Sequence, residues 1–394
     1  MDYKSLETYN SLLVDDFIGL LRTCVLCHRY TNDEIDMICK AHKIALEKHK
    51  GVFRKSGEPY ITHPINVAYL LVIYGFDAKS VIAGLLHDTV EDTSYTLDDI
   101  KRDFGSDVAI LVDGVTKMTD AKFLSTEEKQ KENHKKILES MLIDARIVAI
   151  KLCDRLHNMI TLRYMSDEKT KEKSLETREF YVPLSLSFGM YKIKDELEDL
   201  SLFYLENDLY NKYQEERKRI KNEYVNFYKN LANEVKYKLE KDNVYMNYDY
   251  KIKNVGGIVR ELKNGKDISE IRDLVAVRMI LEKLEDCYKT LGVVNSISTY
   301  VPKTFVDYIA NPEYNGYRSI NENVIYDDKG IQVRIRTEDM NRKNALGVIS
   351  NWNSNTQEVV RQMSKALIDL EKRDLSTDQF IDEAKESFLH MKGD

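Results

Sequence analysis

The chain is poor in the residues that break or staple a fold. Five prolines and 16 glycines among 394 residues leave several hundred positions free to share real cores, and that length implies two or three domains. Five cysteines, Cys24, Cys27, Cys39, Cys153 and Cys287, are too sparse and odd in number for a disulfide framework and fit a reducing compartment. Basic excess is missing: 59 Lys and Arg face 66 Asp and Glu, a net charge of -7. No overall field would concentrate a polyanion, so nucleic-acid binding is not expected. Long apolar runs are missing as well. The longest, at 67–76, is about half of the roughly 20 residues a membrane span needs, and residues 1–10 are too acidic and polar for a signal peptide. The expectation is a soluble, cytoplasmic protein with no membrane partner; the oligomeric state is left open.

What the chain does have is helical periodicity. Up to about Tyr204, apolar residues recur at spacings of three and four, which predicts helices over 41–46, 64–74, 78–90, 97–111, 132–142 and 145–165. Thr96 with Asp98 and Asp99 marks a helix start, and Gly75, Gly105 and Gly114 mark helix ends. Over 214–223, acids and bases alternate ahead of Tyr224, Phe227, Leu231 and Val235, the pattern of an exposed connecting helix. After Tyr245, short β-branched runs at 274–281, 291–298, 324–326 and 331–335 predict strands, with Asp327, Asp328 and Gly330 as a hairpin turn. The chain therefore divides into an all-α domain over 1–200, connecting helices over 201–239, a smaller α+β domain over 240–354 and a helical tail over 355–394. Cys24 and Cys27 with His28 sit in an apolar helical pattern without a second such pair, so a buried structural role is expected for them. Trp352 is expected to anchor a core.

In the helical half, polar groups interrupt core helices. His87 and Asp88 stand where aliphatic residues would otherwise continue. On a continuous helix Glu91 and Asp92, three and four residues on, would crowd the same face as Asp88, and a cation among them would relieve the repulsion. A second polar line, Lys151, Asp154, Asn158 and Thr161, runs down a helix whose other faces carry Ile150, Leu152, Cys153, Leu156 and Met159. Such a line faces a cleft or a buried network. His63, just before Pro64, adds an imidazole. Two imidazoles and two carboxylates suit a borderline divalent ion such as Mn, Fe, Co or Zn, with positions left for water and substrate. The spacing resembles the HD phosphohydrolase superfamily.

Four ordered motifs sharpen this: RKSGEPYITHP (54–64), LLHDTVEDT (85–93), VDGVTKM (112–118) and KLCDRLHNM (151–159). Together they resemble the hydrolase domain of RelA/SpoT-type alarmone enzymes, and the likeness continues through IKDELEDLS (193–201). The resemblance implies an N-terminal all-α HD-domain phosphohydrolase that cleaves the 3′-pyrophosphate of (p)ppGpp, guanosine tetra- or pentaphosphate, to GDP or GTP. It implies His63, His87, Asp88 and Asp154 as ligands of one Mn2+, with Glu91 and Asp92 as the acid/base pair. A carboxylate one helical turn past the ligands can orient water and accept its proton. Arg54 resembles the family residue that stacks on guanine, with Lys55 and Ser56 adjoining it. Asn158, Thr161 and Lys151 would line the ribose and phosphate side. SLSFG at 185–189 replaces a more basic family segment and Ile160 a frequent Arg, neither of them a proposed ligand.

RDLVAVRMI (272–280), DYIANPEYNGYRSI (307–320) and QVRIRT (332–337) resemble the family's synthetase domain, which implies a nucleotidyltransferase-like α+β fold. Asp273 matches a magnesium-binding acid and Tyr317 a guanine-stacking tyrosine. Gln332, however, stands where the family has its second acid and Arg334 where it has a Gln. Lys251 replaces an Arg, Gly257 a Ser and Asn321 a His. An amide is a poor anionic ligand and accepts no proton at neutral pH, so Asp273, Tyr317 and Gln332 read as a vestigial synthetase site with little hold on Mg2+. The leading expectation is a (p)ppGpp hydrolase with a pseudosynthetase domain. The alternatives are a bifunctional synthetase/hydrolase and a non-catalytic nucleotide sensor.

Overall fold

The computed structural model describes residues 17–19, 21, 30–116, 136–137, 139–140, 142–313, 315–347, 354–371, 373 and 383. Two compact units divide the chain, Met1–Ser187 with Asn351–Asp394, and Phe188–Ser350. Cys24, Cys27, His28, Trp352 and most of the helix expected over 132–142 lie outside the described residues.

The first unit opens with α1 (Asn32–Lys48), started by a capping box in which Glu34 N donates to the Thr31 hydroxyl and Thr31 N to Glu34 Oε2. There follow α2 (Thr62–Tyr74), α3 (Ala78–Leu86), the single turn α4 (Thr89–Asp92), α5 (Leu97–Phe104), α6 (Ser106–Thr116), α7 (Arg146–Ile160), α8 (Asp167–Glu176) and α9 (Val182–Ser187). Every regular element described in this unit before residue 188 is helical, as the periodicity predicts. The centre is α3: buried except at Lys79, it packs on α1, α2, α6 and α7, the fate of a helix with almost no polar face. A Cβ on Gly84 would lie 2.6 Å from Leu71 Cδ1, and one on Gly114 would overlap Ile147. Gly114 thus sits within α6 as a close-packing position, not as the expected helix end. Gly75 and Gly105 do end α2 and α5, at φ of 95° and 91°, so the stretch 97–111 is two helices. The stretch 78–90 also breaks, after Leu86.

The second unit runs through α10 (Tyr191–Leu205) and the 34-residue α11 (Asn207–Glu240) into a six-stranded mixed sheet. Its elements are β1 (Met246–Ile252), α12 (Val255–Lys263), β2 (Val275–Leu281), α13 (Leu284–Ile297), β3 (Thr299–Tyr300), β4 (Val306–Asp307), β5 (Ile320–Tyr326), β6 (Lys329–Thr337) and α14 (Glu338–Leu346). The strand order is β1-β2-β6-β5-β3, with β4 also on β5; β2 and β6 are parallel and the other pairs antiparallel. Alternation sorts the side chains. Val275, Val277, Met279, Leu281, Ile331, Val333 and Ile335 join Leu231, Val235 and Val294 in one core, while the intervening Arg278, Gln332, Arg334 and Arg336 belong to the opposite face. Asp327 and Asp328 take φ of 46° and 61° in the two-residue turn joining β5 to β6, the left-handed pair a type I′ hairpin requires. The stretch 291–298, expected as a strand, is instead the second half of α13. Its partners Cys287, Thr290 and Val294 are buried at helical spacing. Beyond the sheet, α15 (Ser354–Glu371) is helical as expected, with Val360, Met363 and Leu367 buried.

A division at residue 200 would cut α10, whose residues are tied within the second unit. Asn254 Nδ2 donates to Glu198 Oε2 (2.8 Å) and Asp199 Oδ1 (2.9 Å), and Gly256 N donates to the same Asp199 oxygen (2.7 Å). Burial pushes the Asp199 carboxyl up to about 6 despite these donors. Since the folded state holds the proton more tightly than the unfolded chain, Asp199 favours folding at low pH, and that contribution is lost as pH rises through about 6. Asp199→Asn keeps an oxygen for both donors and is expected to stabilise the second unit by roughly 2 kcal/mol at pH 8, and by little at pH 4. Thermal melts at the two pH values check this; a pH-independent difference would contradict it. Among the described residues, no helix is long and apolar enough to cross a membrane.

Candidate metal centre

Three segments of the first unit bring the predicted ligands together. His63 sits in the first turn of α2, where Pro64 costs no hydrogen bond. His87 and Asp88 occupy the break between α3 and α4, and Asp154 lies on α7. His63, His87 and Asp88 each offer a ligand atom within 4.8 Å of the others. Asp154 reaches the group through His63, its Oδ1 being 3.2 Å from His63 Nε2. Asp88 Oδ2 is 3.6 Å from the same nitrogen, and Asp88 Oδ1 is 3.1 Å from His87 Nε2.

The tautomer of His87 follows from its partners. Its Nδ1 lies 2.8 Å from Gly84 O, and a carbonyl only accepts, so in the neutral ring Nδ1 carries the proton and Nε2 the lone pair. That Nε2 is buried and makes no hydrogen bond. A bare lone pair facing a carboxylate is unfavourable unless a cation lies between them, and an imidazole anchored to a backbone carbonyl through its other nitrogen is the usual arrangement of a metal ligand. The donor set therefore fits a divalent ion.

The acids are held ionised. Burial would raise the Asp154 carboxyl, but Lys151 and His63 outweigh it and hold it well below the usual carboxylate range. Lys151 Nζ is 2.9 Å from Asp154 Oδ2, and Asn158 Nδ2 donates to Asp154 Oδ1 at 2.6 Å. For Asp88, burial is likewise overcome by His87 and His63, with the Tyr60 hydroxyl donating to Oδ2 at 2.8 Å.

Beside this centre runs a polar wall. Arg54 begins a tight turn in which its N donates to Glu58 O (2.8 Å) and Gly57, at φ 86°, donates back to Arg54 O (2.9 Å). The Arg54 guanidinium reaches Asn158 Oδ1 at 3.3 Å and Thr161 Oγ1 at 3.1 Å. The line 151–154–158–161 read from the sequence is thus a bonded chain. Lys55 is exposed, Ser56 is half-buried, and Ser56 Oγ lacks a hydrogen-bond partner. Glu91 and Asp92 are exposed on α4, where Asp92 N donates to Asp88 O (3.0 Å). Sequence reasoning missed His157 and Tyr60, whose ring centroids lie 5.0 Å and 6.2 Å from that of His63, and His49, whose ring is 4.9 Å from that of Tyr60. An imidazole three residues after Asp154, beside the polar line of the same helix, was the available signal.

In the second unit, both Asp273 oxygens accept from Lys253 Nζ, at 2.7 and 2.8 Å. Burial would raise that carboxyl, but Lys253 lowers it. Gln332 Oε1 accepts from Arg334 Nε at 2.6 Å. A Cβ on Gly257 would lie 2.7 Å from Asn254 Oδ1, so a Ser there would require the Asn254 side chain to shift. Tyr317 is buried, 6.0 Å from the Arg336 guanidinium.

Two family models match: "HD domain" over residues 41–190 and "Region found in RelA / SpoT proteins" over 250–358. A GTP pyrophosphokinase of Streptomyces antibioticus is 40% identical over 84% of this chain and 40% of its own length. A guanosine-3′,5′-bis(diphosphate) 3′-pyrophosphohydrolase of Haemophilus influenzae is 34% identical over 88% of this chain and 53% of its own. A bifunctional (p)ppGpp synthase/hydrolase of Escherichia coli is 33% identical, with coverages of 90% and 52%. The chain spans about half or less of the length of these curated relatives.

Proposed function

Because this chain belongs to the RelA/SpoT family, with a helical HD domain followed by a mixed-sheet domain, we propose that its helical unit hydrolyses the 3′-pyrophosphate of (p)ppGpp at one Mn2+ held by His63, His87, Asp88 and Asp154. The observation that carries this reading is the buried, unpartnered His87 Nε2 aimed at Asp88 and His63. A divalent ion there would draw charge from a phosphoryl oxygen and make water beside it a better nucleophile. Arg54, Asn158 and Thr161 bind the guanosine, with Lys55 and Ser56 at the edge of the same turn. Lys151 serves the substrate only through Asp154, on which its ammonium is spent. Glu91 and Asp92, solvated and one turn past Asp88, orient the attacking water, and a Glu91 carboxylate oxygen takes its proton. Among the described residues Cys39, Cys153 and Cys287 form no disulfide, which suits a reducing setting such as the cytoplasm.

In this reading the second unit is a pseudosynthetase. Its one remaining acid is neutralised by Lys253, and the other position is an amide bonded to a guanidinium, which together make a weak Mg2+ site. The bifunctional alternative draws on the relatives named pyrophosphokinase or synthase. Product analysis separates the readings. Incubation with ppGpp and Mn2+ should release GDP and pyrophosphate, and ATP with GDP or GTP should yield no alarmone. Alarmone formation would establish the second reading, and nucleotide binding without turnover the sensor. Glu91→Gln is expected to keep Mn2+ affinity within about threefold while turnover falls by about 100-fold. Undiminished turnover would remove Glu91 from the acid/base role.

A further inference from the structure

We propose that His157, which none of the motif roles above uses, is a positioning residue that fixes the tautomer of His63 and so aims its Nε2 at the metal. The proposal rests on the metal reading above. His157 Nδ1 has two close neighbours: Arg54 NH1 at 3.1 Å and His63 Nδ1 at 2.8 Å. Both imidazoles are buried, His157 at 2% and His63 at 4% exposure, so water cannot rearrange the contact.

A guanidinium has donors and no acceptor. His157 Nδ1 beside it is therefore the unprotonated nitrogen. Two unprotonated nitrogens at 2.8 Å would oppose lone pair to lone pair, so His63 Nδ1 must carry a proton. In the neutral ring the lone pair of His63 is then on Nε2, the atom facing Asp154 Oδ1 and Asp88 Oδ2. The other neutral tautomer would point an N–H at the place where the ion belongs. Arg54 and His63 thus both donate to His157 Nδ1, which joins the nucleotide wall to the metal centre: Arg54 orients His157, and His157 orients His63.

The arrangement has a cost that packing alone does not explain. With Nδ1 accepting, His157 keeps its proton on Nε2, which is buried and has no hydrogen-bond partner. An unmet buried donor costs about 1–3 kcal/mol, and a Leu or Phe would fill the space without it.

Two measurements test the proposal. In metal-free protein labelled with 15N-histidine, two-bond proton–nitrogen correlation spectra should show the His63 Nδ1 protonated; a bare Nδ1 with the proton on Nε2 alone overturns it, and no variant need fold for that reading. Second, the Mn2+ dissociation constant, read from the paramagnetic resonance of free Mn2+, should rise about 10- to 100-fold in His157→Phe. It should stay within about threefold in His157→Gln, whose carbonyl can still accept from His63. Wild-type affinity in a folded His157→Phe protein would overturn the positioning role. If the wild type itself binds no divalent ion, the metal reading fails instead, and the spectrum still decides the tautomer.

Discussion

Asp88→Asn should abolish Mn2+-dependent release of pyrophosphate, with turnover at least about 1,000-fold below wild type, or about 4 kcal/mol of lost transition-state stabilisation. The loss is this large because Asp88 is the acid that faces both imidazoles. One oxygen lies 3.1 Å from His87 Nε2 and the other 3.6 Å from His63 Nε2. An amide in its place leaves two neutral imidazoles and Asp154 to hold a dication, and Asp154 is already shared between Lys151 and Asn158. The Tyr60 hydroxyl can still donate to the amide oxygen, so the local fold should survive. A thermal readout separates metal loss from misfolding. With Mn2+ at 100 times its dissociation constant, the wild type should gain about 2.7 kcal/mol of stability, reversed by chelator. The variant should melt at the metal-free temperature with or without Mn2+. Turnover within tenfold of wild type at saturating Mn2+ would take Asp88 out of the ligand set, and His63→Ala should behave like Asp88→Asn.

How much of this was legible depended on the width of the window. His87, Asp88 and Asp154 stood out because they interrupt apolar helices, and His63 because it precedes Pro64 at a helix start; the structure brings His63, His87 and Asp88 within 4.8 Å of one another, with Asp154 3.2 Å from His63. His157 breaks the same pattern but was absorbed into it, since a single imidazole in a buried helix looks like a core residue until its neighbours in space are known. The expectation of a continuous helix over 78–90 placed Asp88, Glu91 and Asp92 on one face. The break after Leu86 instead makes Asp88 the cap of a new turn, though Asp92 still follows it by one hydrogen bond. At 291–298 the β-branched residues outvoted a helical spacing that becomes visible only when Cys287 and Thr290 are counted with Val294. Gly114 was read as punctuation because glycine usually is, whereas here it makes room for Ile147 from another helix. Close approach between distant segments is the information a local pattern lacks.

The helix that carries Asp154 and Asn158 is also held from its far side, and that support yields the largest expected stability effect. Arg155 donates to Glu176 Oε2 at 3.1 Å, to Glu176 Oε1 at 3.0 Å and to the Tyr181 hydroxyl at 3.0 Å, with its guanidinium 4.1 Å from the Tyr181 ring centre. The π-helical turn Thr177–Tyr181 directly after Glu176 carries that ring. The Glu176 side chain is only 3% exposed. Burial would raise its carboxyl, yet Arg155 and Lys173 hold it down at about 2, from an ordinary 4.5. The folded state thus binds this proton more weakly than the unfolded chain. Its stabilisation is complete above pH 4.5 and is lost as pH falls toward 2. Glu176→Ala strands a buried guanidinium and should cost about 3–5 kcal/mol, a drop of roughly 10 °C in melting temperature for a unit of this size. Most of that loss is the uncompensated charge, not the missing attraction. Arg155→Met combined with Glu176→Leu should therefore recover more than half of it, as replacing a buried pair by apolar side chains often does. The Glu176→Ala deficit should also shrink below pH 4, where the wild type loses its own advantage. A double variant as unstable as Glu176→Ala alone, or a deficit unchanged at pH 3, would mean that the pair holds α7 through shape and not through charge.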